Sequence, residues 1–159
     1  MIKIGDKLPH AEFFTMTAEG KTKTASDVIF AGRKVVLFAV PGAFTGTCTN
    51  THLPSFTNAM DELKSKGVDM VACTSVNDID VLAAWGKQYG ADGNITMLAD
   101  GNGTFAKALG LDVDLAAAGM GLRSKRYSMF IDNGVVKHLN VEEKSGVNVS
   151  GAETMLQQL

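Results

Sequence analysis

Val35-Val36-Leu37-Phe38-Ala39-Val40 runs directly into Pro41-Gly42-Ala43-Phe44-Thr45-Gly46-Thr47-Cys48. An unbroken β-prone apolar run ended by Pro-Gly reads as a central strand buried on both faces. Downstream, Leu53, Phe56, Met60 and Leu63 recur at helical spacing, which predicts a helix over Thr49 to Lys66. Val68-Asp69-Met70-Val71-Ala72-Cys73 then supplies a second strand. Strand, helix, strand in that order predicts a right-handed crossover and a parallel pair.

The alternation continues outward. Asn77 is the expected N-cap of a helix from Asp78 to Tyr89, which carries Val81, Leu82, Trp85 and Tyr89 on one side and closes at Gly90. Tyr127-Ser128-Met129-Phe130-Ile131 and Val135-Val136-Lys137-His138-Leu139 flank Asp132-Asn133-Gly134, and Asn-Gly is a strong hairpin signal. Ser150-Gly151-Ala152-Glu153 reads as a capping box before a last helix with Met155, Leu156 and Leu159 on its apolar face. These elements add up to an α/β protein with a mixed central sheet and helices on both faces, similar to the thioredoxin-like fold.

A chain of 159 residues without repeats or a long Pro/Gly/Ser linker is expected to form one domain, 1–159. Its formal charge of −2, without a long run of one sign, gives no electrostatic support for nucleic acid or an anionic membrane. The opening Met1-Ile2-Lys3-Ile4-Gly5-Asp6 lacks an apolar core, and the run at Val35 is too short to span a bilayer, so a cytoplasmic location is expected. The two cysteines, Cys48 and Cys73, form neither a disulfide framework nor a Cys-x-x-Cys pair. His10, His52 and His138 lie in distant segments, so no metal and no cofactor is expected.

Cys48 follows the carboxyl end of a strand, where open α/β sheets place their ligand sites, and it falls near a helix N-terminus. Free N–H groups and the helix dipole favour an anion there, so the thiol is expected to ionise more readily than a free one, at about 8.5. A free cysteine is more commonly a small buried hydrophobe. The Gly/Thr-rich loop before Cys48 has no apolar period and favours the reactive reading. Thr45, three residues upstream, can serve either as a turn hydroxyl or as a hydrogen-bond partner for the sulfur or a bound oxygen.

Pro41, Thr45 and Cys48 match the Pro-x-x-x-Thr-x-x-Cys signature, and the chain thereby resembles the peroxiredoxins. The strings Val40 to Thr45 and His52-Leu53-Pro54 are similar to the peroxiredoxin five subfamily, as are Ser75-Val76-Asn77-Asp78, Leu98-Ala99-Asp100 and Arg126-Tyr127-Ser128-Met129. The resemblance implies a thiol peroxidase acting on hydrogen peroxide and alkyl hydroperoxides, with Cys48 as nucleophile and Thr45 and Arg126 beside it. It also implies a pocket shaped by Pro41 and lined by Gly46, Thr47 and His52. Strand alternation independently puts Arg126 on the face of Ser128 and Phe130, where a core-directed guanidinium needs an anionic or carbonyl partner. Arg123, its rival, reads as a solvated loop residue. His52 reads as structural or pocket-lining, and Pro54 is expected to kink the helix after Cys48. Gly46 and Thr49 depart from the subfamily, which usually has proline and commonly has serine there.

The sulfenic acid formed on Cys48 must then be reduced. Val149 stands where some subfamily members carry a resolving cysteine, and Cys73 ends a buried apolar strand, so it reads as core. A one-cysteine cycle is therefore expected, with glutathione and glutaredoxin, or thioredoxin, as reductant. The subfamily further implies a homodimer formed near the active-site loops. Redox sensing or thiol–disulfide exchange on the same fold is the alternative. A phosphate or dinucleotide module ranks below both, because residues 42–47 have neither a P-loop ending nor a Gly-x-Gly-x-x-Gly.

Overall fold

A computed structural model describes residues 1–159. Its centre is β3 (Lys34–Ala39), flanked in parallel by β4 (Met70–Ser75) and antiparallel by β8 (Tyr127–Asp132). The full sheet has seven strands in the order β2-β1-β5-β4-β3-β8-β9, completed by β1 (Glu12–Thr17), β2 (Gly20–Ala25), β5 (Thr96–Ala99) and β9 (Val135–Val141). Parallel β3, β4 and β5 sit between antiparallel wings, so the sheet is mixed and the fold thioredoxin-like, as expected.

Period-two alternation divides the core. Val36, Phe38 and Val40 point to one face and pack with α2 (Leu53–Thr57), α3 (Met60–Ser65), α4 (Ile79–Gln88) and α6 (Ala152–Gln158) through Leu53, Phe56, Leu63, Leu82, Trp85 and Met155. Val35, Leu37 and Ala39 point the other way, against Phe30 of α1 (Ser26–Phe30) and Phe105 and Leu109 of α5 (Thr104–Leu109). Each large side chain buried this way, such as Phe38 or Leu63, stabilises the fold by about 1.5–3 kcal/mol. In β8, Tyr127, Met129 and Ile131 belong to the second face. Arg126, one residue before the strand, is therefore in phase with the first. The Asn133-Gly134 turn closes the β8–β9 hairpin, with Asn133 at φ 48° and Gly134 at φ 79°.

Several local expectations are corrected. The helix predicted over Thr49 to Lys66 is divided: a π-helical turn, Cys48–His52, leads into α2, and the chain bends at Asn58-Ala59 before α3. Pro54 lies in the first turn of α2, inside a helical stretch that runs without a break from Gly46 to Thr57. With no N–H to give, it leaves the wider Leu53 N–H to Cys48 C=O bond to close the turn before it. Asp78, not Asn77, caps α4, accepting from the Val81 N–H at 3.0 Å. The capping box at Ser150 does not form, because Gly151 is the cap and the Ser150 hydroxyl is bonded to Glu142 instead. The β1–β2 hairpin was not anticipated: only Phe13 of its first strand is buried, and β2 is a polar, lysine-bearing edge that shows no apolar alternation. A short ribbon of β6 (Asp112–Asp114) and β7 (Leu122–Ser124) was likewise missed. No helix is long and apolar enough to cross a membrane.

Candidate active site

The loop leaving β3 is tied down bond by bond. Val40 donates its N–H to Thr74 at 3.1 Å, and the Ala43 N–H donates to Asn77 Oδ1 at 3.0 Å. Arg123 bridges from Met120 C=O, 2.9 Å from its Nε, to Pro41 C=O, 3.3 Å from Nη1. A Cβ at Gly42 would lie 3.0 Å from Arg123 Nη1 and 3.1 Å from Thr45 Cγ2, so a larger residue would crowd both side chains. Phe44 is held at φ 65°, a conformation that costs a non-glycine residue about 1–3 kcal/mol.

A helix starts at Gly46, with the Thr49 N–H donating to Thr45 C=O at 3.0 Å, and places Cys48 in its first turn. Cys48 is 1% exposed, and its sulfur accepts a hydrogen bond from Arg126 Nη2 at 3.2 Å. The other guanidinium nitrogen, Nη1, lies 3.0 Å from His52 Nδ1, and His52 Nε2 lies 2.9 Å from Ser150 C=O. Chemistry decides the tautomer. A carbonyl only accepts and a guanidinium only donates, so Nε2 carries the hydrogen and Nδ1 offers its lone pair to Arg126. Burial lowers the His52 pKa from 6.5 to about 4; the Ser150 bond opposes this and the Arg126 charge adds to it. The imidazole is neutral at physiological pH, as its role of acceptor demands.

A cleft of about 770 Å³ opens beside this group and is lined by Pro41, Thr47 and Arg126, with Ser124, Lys125 and Glu142 around them. A second cleft, of about 670 Å³ along α4 and β5, contains neither cysteine nor arginine. Nowhere do three or more His, Cys, Asp or Glu side chains converge as metal ligands.

Of the residues singled out in the sequence, Cys48 and Arg126 meet directly, and Pro41 and Thr47 border the cleft. Thr45 donates its hydroxyl hydrogen to Gly42 C=O at 2.7 Å, so it braces the loop and keeps its lone pairs for an incoming O–H. Gly46 opens the helix and is not among the residues lining the cleft. Of the two roles read for His52, structural or pocket-lining, the structural one fits and the lining one does not: it is completely buried and touches Arg126. Arg123 is corrected too, since it is half-buried and grips the Pro41 carbonyl. Asn77 was read as a helix cap, and its place just past the carboxyl end of β4 was the signal that it serves the loop. Ser150 was read only as part of a helix cap, and nothing in the sequence signals its contact with His52.

Residues 3–156 match the Redoxin family model. The chain is 47% identical to the chloroplastic peroxiredoxin-2E of Arabidopsis thaliana, over 99% of this chain and 69% of that protein. The crystal structure of reduced Prx3 from Vibrio vulnificus in complex with hydrogen peroxide is 52% identical, with a TM-score of 0.96 over 99% of both chains. Peroxiredoxin 5 from Alvinella pompejana is 33% identical, with a TM-score of 0.86 over 99% of this chain and 97% of that one. The chain belongs to the redoxin family and, within it, to the peroxiredoxins, thiol-dependent peroxidases. The narrower likeness to the five subfamily is not what these matches favour, because the peroxiredoxin 5 is the more distant of the three.

The arrangement suits that chemistry. A thiolate displaces one peroxide oxygen from the other in line, the S–O bond forming as the O–O bond breaks, and charge moves onto the departing oxygen. Pre-aimed donors beside sulfur stabilise such charge without reorganising.

Proposed function

We propose that Cys48 reduces hydrogen peroxide and alkyl hydroperoxides, becoming a sulfenic acid, and that Arg126, Thr45, Pro41 and Thr47 hold the peroxide against it. The observation that carries this reading is the 3.2 Å contact from Arg126 Nη2 to Cys48 Sγ at the edge of an open cleft. The departing oxygen leaves as water or an alcohol after taking a proton.

Recycling proceeds by a one-cysteine route. Glutathione attacks the sulfenic sulfur and releases water, and glutaredoxin or a second glutathione then cleaves the mixed disulfide. Cys73 supports this reading, since it is completely buried and burial pushes its thiol well above 9. A reducing compartment such as the cytoplasm suits this cycle, because it keeps both thiols free. A homodimer is part of the same reading: Phe44 and Tyr89, both exposed and stacked edge to face at 6.2 Å, offer an apolar surface on the active-site loop.

The test is intact mass after one equivalent of peroxide, with and without glutathione, for the native chain, Cys48→Ser and Cys73→Ser. One added oxygen on Cys48, replaced by a glutathione adduct that glutaredoxin removes, is the expected course. Turnover supported by thioredoxin and not by glutathione overturns the recycling route. Oxidation without turnover under any thiol reductant makes the protein a redox sensor instead.

A further inference from the structure

We propose that Glu142 is a positioning residue for peroxide reduction, acting on Arg126 through Ser150 and His52. Glu142 follows β9, and its Oε2 accepts from the backbone N–H groups of Asn148 at 2.8 Å, Val149 at 2.9 Å and Ser150 at 2.8 Å, and from the Ser150 hydroxyl at 2.6 Å. The segment it gathers, residues 142–151, contains no helix or strand, so the carboxylate does what a ladder of backbone bonds does elsewhere. Burial raises the Glu142 carboxyl, but these four donors outweigh it and hold it below the usual carboxylate range.

What the segment presents is the Ser150 carbonyl, 2.9 Å from His52 Nε2. That carbonyl selects the imidazole tautomer. With it in place, Nδ1 is a lone pair facing Arg126 Nη1 at 3.0 Å, and the guanidinium is turned so that Nη2 meets Cys48 Sγ at 3.2 Å. Were the carbonyl displaced, the Nδ1–H tautomer would oppose donor to donor and release the arginine. Three further bonds close the unit. The Glu142 N–H donates to Arg126 C=O at 3.0 Å, so one residue fixes both the backbone and, through the relay, the side chain of Arg126. Ser55 Oγ donates to His52 C=O at 2.8 Å and accepts from the Ala152 N–H at 3.3 Å, fastening the segment to the helix that bears Cys48.

The test measures the second-order rate of Cys48 oxidation by hydrogen peroxide, followed by fluorescence of Trp85, the only tryptophan, whose indole N–H donates to Thr49 beside Cys48. Glu142→Ala is expected to slow oxidation by about tenfold, the loss of one well-aimed charge-assisted contact. Glu142→Gln, which keeps the shape and a neutral acceptor, should fall between it and the native chain. In an Arg126→Met background, either Glu142 substitution should have no further effect, since nothing remains to be positioned. The imidazole nitrogen spectrum of His52 should lose its slowly exchanging Nε2–H signal in Glu142→Ala. If that variant does not fold, the same cycle is run with Glu142→Gln. A rate within twofold of native, or a loss of equal size with and without Arg126, overturns the proposal.

Discussion

Cys48 and Cys73 lie in the same apolar cluster, 1% and 0% exposed, and differ in nearly everything that governs a thiol. Cys73 sits mid-strand in β4, opposite Phe38 of β3 and Met97 of β5. Burial there raises its thiol far above the free value, the Cys48 charge adds to this, and Arg126 opposes both. Cys48 lies in the first turn of a helix, receives a guanidinium hydrogen at 3.2 Å and adjoins a cleft. Burial is common to both, so burial cannot be what makes a cysteine reactive. A directed donor, and neighbours in Thr47 and Arg126 that line a cleft, are what separate them.

The sharpest way to break this contrast is to exchange the sulfurs for oxygen one at a time. Cys48→Ser should abolish peroxide consumption, whereas Cys73→Ser should leave it within about twofold, since a surface of contacts rather than a donor set is altered there. Equal losses would erase the distinction.

Removing the donor tests which half of the contrast matters. Arg126→Met should slow oxidation of Cys48 by about 10²–10³, the cost of losing one pre-aimed donor in a water-poor site. Arg126→Lys should recover only part of this, because an ammonium cannot span His52 and sulfur as the planar fork does. Stopped-flow kinetics under excess peroxide measures both.

The neutral His52 that orients Arg126 should leave its mark on stability. Its pKa is near 4 in the folded chain and 6.5 when free, so between those values the unfolded chain binds more protons. Stability should therefore fall as pH drops from 6.5 to 4, by at most about 3 kcal/mol from this group. Urea unfolding across that range should show the slope, and His52→Gln should flatten it.

The smallest expected effect sharpens the role of loop stiffness. Gly46 opens the helix, is not at positive φ, and has open space where a Cβ would stand. Gly46→Pro should raise stability by about 0.4–1 kcal/mol by limiting the unfolded chain, as read by the shift of the urea midpoint. The surroundings of Cys73 should not change.

Much of this was legible in the chain. The apolar run at Val35, the crossover to Cys73, the Asn133-Gly134 hairpin and the phase of Arg126 are short-range patterns, and each keeps its meaning in the folded protein. Elsewhere the local reading lost to tertiary contacts. Asn77 abandons its capping role for the Ala43 N–H, Ser150 leaves the expected capping box for Glu142, and Arg123 exchanges solvent for the Pro41 carbonyl. In each case a polar group found a partner that no pattern of nearby residues announces.

The sequence by itself determined where the nucleophile would stand, because a strand, a Pro-Gly loop and a helix start are encoded by neighbouring residues. Only the tertiary structure decided what surrounds the sulfur. Arg126 is 78 positions from Cys48 and Ser150 is 98 from His52. Those distances are closed by β8 pairing beside β3 and by the turn of the chain at Glu142, and long-range pairing leaves no local signature.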